Sequence, residues 1–214
     1  MTENPRLITY YFSMSSPWSY FGHARFIALA ARHQRAVEMR PIPLLRLFPE
    51  TGGLPAPRRH PTRQRYRLIE LQRWSAALGI TLNPLPKFFP FDASLLDRLV
   101  IAFCLADHDP NRFMALAWDG IWQQERNLAD PAVLADLLAQ AEAPASLLAA
   151  ADDAASHARY EDNLAAALEA GIFGAPSYVL DGEPFWGQDR LSLLDATLVS
   201  GRPPITVPIP PNNQ

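Results

Sequence analysis

The chain has 214 residues, with 19 Lys and Arg against 22 Asp and Glu, for a formal net charge of −3. That length suits one domain, or one domain carrying a large insertion. The balanced charge excludes the basic excess that nucleic-acid binding requires, and no apolar run reaches the roughly 18 residues of a membrane span. Neither nucleic acid nor membrane is therefore an expected partner, and Met1-Thr2-Glu3-Asn4-Pro5, without a charged and then apolar leader, points to the cytoplasm.

Leu7 to Phe12 is an aromatic, apolar run and reads as a short buried strand. Ser13, Met14, Ser15 and Ser16 follow, and Pro17 then stands where a first helical turn tolerates proline. This predicts strand, tight turn and helix N-terminus. Ser16 is in the first instance an N-cap, worth about 1 kcal/mol. The same terminus presents unpaired N–H groups and the positive end of the helix dipole, so an anionic group placed there is stabilised. Sequence alone leaves both roles open for Ser16, with Ser13, Ser15 and Ser19 as turn or capping residues.

The helix continues from Trp18 to about Gln34, with Phe21, Ala24, Phe26, Ala28 and Leu29 at helical spacing. Val37 to Leu45 reads as a second strand, but Pro41 and Pro43 would break ladder bonds, so it is expected at a sheet edge or ending near Pro41. The two strands should be parallel with a right-handed crossover. Phe48 to Pro57 is a loop by composition. It leads into Arg58, Arg59, His60, Arg63, Arg65 and Arg67, a basic segment continuing as helix to about Leu78, with Gly79 as its stop. Most of these arginines are expected on a solvated face, one or two against an anionic ligand. Pro84, Pro86 and Pro90 make Thr81 to Phe91 irregular, either a lid over a pocket or packing between helices.

A long helical stretch follows. One helix starts at Asp92-Ala93-Ser94 and runs to about Leu105. Others cover Asn111 to Gln124, Pro131 to Ala139 behind the N-cap Asp130, 143–151, and 152–170 before Gly171. Cys104, the one cysteine, lies in an apolar helical pattern and is expected as a small core residue. No metal site is expected, because the five histidines are scattered. After Gly171 the chain enters a strand at Pro176, turns at Asp181-Gly182, returns through Glu183 to Trp186, and starts a last helix at Gly187-Gln188-Asp189-Arg190. The order of elements is that of an α/β, thioredoxin-like domain with a large inserted all-helical domain. The expected division is 1–47 with 160–205 for the thioredoxin-like part, 48–159 for the insertion and 206–214 for a tail.

Four stretches carry a family resemblance: Tyr11 to Tyr20, Pro41 to Gly53, Phe89-Pro90-Phe91, and Gly171 to Pro176 together with Phe185 to Leu191. In these the chain resembles the 2-hydroxychromene-2-carboxylate isomerase family, DsbA-like relatives of kappa-class glutathione transferases. The resemblance implies glutathione as cofactor, with Ser16 standing where thioredoxin-like oxidoreductases keep a reactive cysteine and stabilising the glutathione thiolate. It implies that Ala175 and Pro176, at the fold's cis-proline position, pair with the glutathione backbone, with Gly53, Trp186, Gln188 and Asp189 completing the cofactor site. Trp18, Lys87, Phe89 and Asp92 would meet a small aromatic carboxylate, whose charge falls to Lys87 or a helix-face arginine. The implied activity is a glutathione-dependent isomerisation by reversible thiolate addition, in aromatic-hydrocarbon degradation. The alternatives are a kappa-like glutathione transferase and a non-catalytic glutathione- or peptide-binding module. Homodimers are common in such relatives. The chain departs from the family pattern at Ser13, Gly53 and Asp92, where relatives carry Asp, Asn and Asn.

Overall fold

The computed structural model describes residues 7–207. The leader reading of residues 1–5, and the expected tail beyond 207, lie outside the described residues. Strand β1 (Leu7–Phe12) is rich in the aromatic and β-branched residues that suit a pleated, packed surface. Its alternation sends Ile8, Tyr10 and Phe12, all fully buried, to one face and Tyr11 to the other. Helix α1 (Pro17–Arg32) leads to β2 (Ala36–Pro41), parallel to β1 from Leu7↔Ala36 to Phe12↔Pro41. On the other side of β1, β3 (Ser177–Leu180) is antiparallel, and β4 (Glu183–Trp186) is antiparallel to β3. The order β2-β1-β3-β4 puts the proline-ended β2 at an edge, as its composition requires. Asp181 (φ 51°) and Gly182 (φ 85°) make the β3–β4 turn with both central residues at positive φ, the geometry that follows the strand twist.

Between β2 and β3 run α2 (Leu44–Glu50), α3 (Pro61–Leu78), α4 (Ser94–Leu105), α5 (Asn111–Trp122), α6 (Pro131–Gln140), α7 (Ser146–Ala150) and α8 (Ala154–Glu169), and α9 (Leu191–Ser200) closes the described chain. The expected loop at Phe48 to Pro57 is partly wrong. Phe48, Pro49 and Glu50 form the last turn of α2, and Ala56–Arg58 is a 3₁₀ turn. Burial of Leu47 holds this short helix, and Pro49 falls late enough that few intrahelical bonds are lost. Gly79 ends α3 in the left-handed region (φ 65°), and Asp130 caps α6 by accepting from the Ala132 N–H at 2.9 Å.

One core joins the sheet to the helices. Ile8, Tyr10, Phe12 and Phe26 pack in the same cluster as Leu96 and Phe103 of α4, Trp118 of α5 and Leu191 of α9. A smaller cluster on the opposite sheet face holds Tyr11, Ile42, Leu47, Leu164, Ala167 and Ile172. The helical stretch is thus packed directly onto the sheet. Cys104, expected in the core, is instead exposed: the buried stripe of α4 runs through Leu96, Leu99, Val100 and Phe103, and Cys104 falls beside it. Its side chain still lies against enough protein that desolvation pushes the thiol up to about 11. No described helix is long and apolar enough to cross a membrane.

Candidate functional site

The site is built where β1 hands over to α1. Ser16 is extended (φ −88°, ψ 118°), its Oγ accepts from the Ser19 N–H at 3.2 Å, and Pro17 occupies the first helical position. The capping expected from sequence is therefore present, but the hydroxyl does more. It donates to the Ala175 carbonyl at 3.3 Å, across 159 residues, while Ser16 is only 4% exposed. The Ala175–Pro176 peptide is cis. Among the described residues the Ala175 N–H makes no hydrogen bond, and its carbonyl accepts only from Ser16. A hydroxyl at a helix N-terminus beside an unpaired stretch of backbone suits an anionic atom carried on an extended peptide.

The flank of this site is set by a close approach. A Cβ on Gly22 would stand 2.7 Å from the Tyr178 hydroxyl and 2.9 Å from Gln188 Cβ, so only glycine lets α1 sit this near the Gln188–Arg190 turn. Gln188 is buried, and its Oε1 accepts from Arg25 Nη1 at 2.6 Å, which fixes the orientation of the amide. Asp189 is exposed and paired with Arg190, so this turn offers both a carboxylate and a guanidinium. Trp186 is half-exposed, edge-on to Phe173 at 4.6 Å, and its indole covers Gly174 so closely that a Cβ there would lie 2.5 Å from Nε1.

Beneath the β1–α1 loop lies a carboxyl that sequence reasoning missed. Asp97 of α4 is 1% exposed. It accepts from the Met14 N–H at 2.7 Å, the Ser13 hydroxyl at 3.2 Å and the Tyr160 hydroxyl at 2.8 Å. Burial pushes its pKa up to about 7, against the lowering effect of these three donors, with the charge of Asp92 adding to the rise. A charged residue flanked by Ala93, Val100 and Ile101 at helical spacing was the available signal, since those positions share its face. Asp97 thus brings a carboxyl from α4 against the Ser13 hydroxyl.

On the substrate side, Trp18 is half-buried on α1 with its ring 6.1 Å from Phe21. Lys87 is exposed over the Phe88 ring at 5.1 Å. Asp92 is exposed and accepts from the Ser94 N–H, and Gly53 is folded back on Phe48, to whose carbonyl it donates at 2.8 Å. Among the described residues no hydrogen bond, ion pair or ring contact joins Gly53, Lys87, Phe89 or Asp92 to Ser16 or Ala175. Phe89 instead packs on Trp122 at 5.1 Å, with the Arg67 guanidinium 5.8 Å over its face. Arg67 has no ion pair among the described residues, and burial and the neighbouring Arg59 both lower its pKa. Arg59 is likewise lowered, by burial and by Arg63. These arginines form an unneutralised cationic patch bordered by an aromatic ring.

The family model described as DSBA-like thioredoxin domain matches residues 7–199. A curated relative named 2-hydroxychromene-2-carboxylate isomerase, from Pseudomonas putida, is 26% identical over 198 residues, covering 90% of this chain and 94% of that protein. A solved structure of a 2-hydroxychromene-2-carboxylate isomerase superposes with a TM-score of 0.74 at 24% identity, covering 91% of this chain and 95% of the other. The cytosolic disulfide reductase DsbM from Pseudomonas aeruginosa, solved with GSH, superposes at 0.63 and 17% identity over 90% of this chain and 99% of its own. These two structural likenesses speak to fold.

Proposed function

Because the chain belongs to the DSBA-like thioredoxin domain family, and its matched relative is named 2-hydroxychromene-2-carboxylate isomerase, we propose that it is a glutathione-dependent isomerase of that type. The observation that carries this reading is the Ser16 hydroxyl at the head of α1, 3.3 Å from the Ala175 carbonyl. The residues fit glutathione on three counts. The Ala175 N–H is without a partner among the described residues and its C=O accepts only from the Ser16 hydroxyl, which leaves both for a peptide backbone. Asp189 and Arg190 offer opposite charges to a zwitterionic γ-glutamyl end. The oriented Gln188 amide stands between them and α1.

When bound, glutathione would supply the thiol whose sulfur adds to the conjugated system of the substrate and leaves again after rotation. Ser16 would turn its hydroxyl proton from the Ala175 carbonyl toward that sulfur, and the α1 terminus would favour its anionic form. No protein thiol is needed for this, consistent with serine at the position. Arg67, over the Phe89 face and without a carboxylate partner, is the favoured contact for the substrate's carboxylate. The exposed Lys87 ammonium is better solvated and less suited to that role.

The test is conversion of 2-hydroxychromene-2-carboxylate, followed by absorbance, with glutathione at one-hundredth of the substrate concentration. Conversion to the equilibrium mixture of the two isomers, over many turnovers per glutathione and with glutathione recovered intact, is expected. Conversion that stops when glutathione is consumed means a transferase, and an equal rate without glutathione rules the cofactor out.

A further inference from the structure

Met14 is gripped at both ends: its N–H by Asp97 at 2.7 Å, and its carbonyl by the Trp118 indole N–H at 3.0 Å. Ser13 is gripped through its hydroxyl by the same Asp97, and its carbonyl accepts from the Ser16 N–H at 3.0 Å. Two short chains of hydrogen bonds therefore run from one buried carboxyl on α4 to the backbone that presents Ser16. We infer that Asp97 is a positioning residue, acting from the helical region through Ser13 and Met14 to hold the Ser16 hydroxyl against Ala175, and that protonating it loosens that hold. A carboxylate accepts charge-assisted bonds from both the Met14 amide and the Ser13 hydroxyl, whereas a protonated carboxyl accepts more weakly and must donate its own hydrogen to one of the two hydroxyls facing it. The grip on the loop is thereby weakened.

The groups around Asp97 set when this happens. Tyr160 of α8 donates to it and is itself held protonated by burial and by the Asp97 charge. Asp92, ahead of α4, opposes its ionisation. Arg98, the adjacent cation, is turned away, donating to the Ala151 carbonyl at 2.9 Å and pairing with Asp152 at 2.6 Å. The β1–α1 loop brings only the Ser13 hydroxyl and the Met14 amide. No cation among these partners offsets the burial that pushes the Asp97 carboxyl up to about 7.

The catalytic part of this inference rests on the isomerase reading; the structural part does not, and the experiment separates them. The amide resonances of Met14 and Ser19 are followed by NMR in the cofactor-free protein from pH 5 to 9. Ser19 reports the Ser16 contact because its N–H donates to Ser16 Oγ. Both amides are expected to titrate with one shared midpoint, and in Asp97→Asn both lose that transition. Tyr160→Phe, which removes one donor to the carboxylate, raises the shared midpoint and serves if Asp97→Asn does not fold. In the assay, Asp97→Asn lowers kcat by roughly 10-fold or more with KM changed less than about 2-fold, as misplacement of a reacting group does. A Ser19 amide that ignores the Met14 transition, or a kcat that Asp97→Asn leaves intact, overturns the inference. If the wild type has no isomerase activity, the function assigned above fails, and the shared midpoint still decides whether Asp97 positions Ser16.

Discussion

Replacing the Ser16 hydroxyl by a thiol, Ser16→Cys in a Cys104→Ser background, turns the head of α1 into a reporter of its own electrostatics. An ordinary thiol titrates near 8.5. A partly buried helix N-terminus stabilises an anion by up to about 2 kcal/mol, and a bond from the Ser19 N–H to a charged acceptor adds roughly 1.5–3 kcal/mol. At about 1.4 kcal/mol per pKa unit, the two together lower the thiol by roughly two to three units. Two features of the site oppose this: Ser16 is only 4% exposed, and the Ala175 carbonyl oxygen lies 3.3 Å from Oγ. Burial raises even the less enclosed Cys104 thiol to about 11, so allowing about two units for them leaves a midpoint of roughly 7.5–8.5, well below that of a buried thiol without such a terminus. Alkylation rate with iodoacetamide against pH, checked by thiolate absorbance, measures it. The background removes Cys104, whose thiol burial pushes up to about 11. A midpoint at or above about 10 would mean that the terminus gives no useful stabilisation to an anion, leaving Ser16 a cap and nothing more.

Stability should depend on pH through Asp97 with a definite sign. A carboxyl ionising at about 7 in the folded chain instead of 3.8 makes stability fall as pH rises between those values, by on the order of 4 kcal/mol in all. His23, which burial holds at about 4, works in the opposite direction, contributing stability that is lost as pH falls from about 6.5 through 4. Urea unfolding of Asp97→Asn against wild type isolates the first effect: the variant's relative stability should climb from pH 4 to 7, and a constant difference refutes the assignment. At Gly22, an added methyl meets Gln188 Cβ at 2.9 Å, anchored to backbone. Gly22→Ala should lower Tm by up to about 8 °C, since overpacking of up to about 3 kcal/mol at a contact this short exceeds the roughly 1 kcal/mol gained in helix propensity. An increase in Tm would show that α1 is not wedged against that turn. Arg67→Gln should raise KM for the aromatic carboxylate about 10-fold with kcat little changed, whereas an equal loss at Lys87→Gln alone would move the carboxylate to the irregular segment.

What the sequence determined unaided was local. A run of aromatic and β-branched residues makes β1, serine before proline opens α1, Gly79 stops α3, Asp130 caps α6 and Asp181-Gly182 turns the hairpin, because each of these depends on the torsional and hydrogen-bonding preferences of a few consecutive residues. Even the edge position of β2 was legible, since Pro41 lacks the N–H that an inner strand needs. The extension of α2 through Pro49, the exposure of Cys104 and the placement of Arg67 over Phe89 were settled by packing. So was the grip of Asp97 on a loop more than 80 residues earlier. A residue's neighbours along the chain report its torsions; what faces it across the core depends on how helices far apart in sequence share one interior, and only the folded chain decides that.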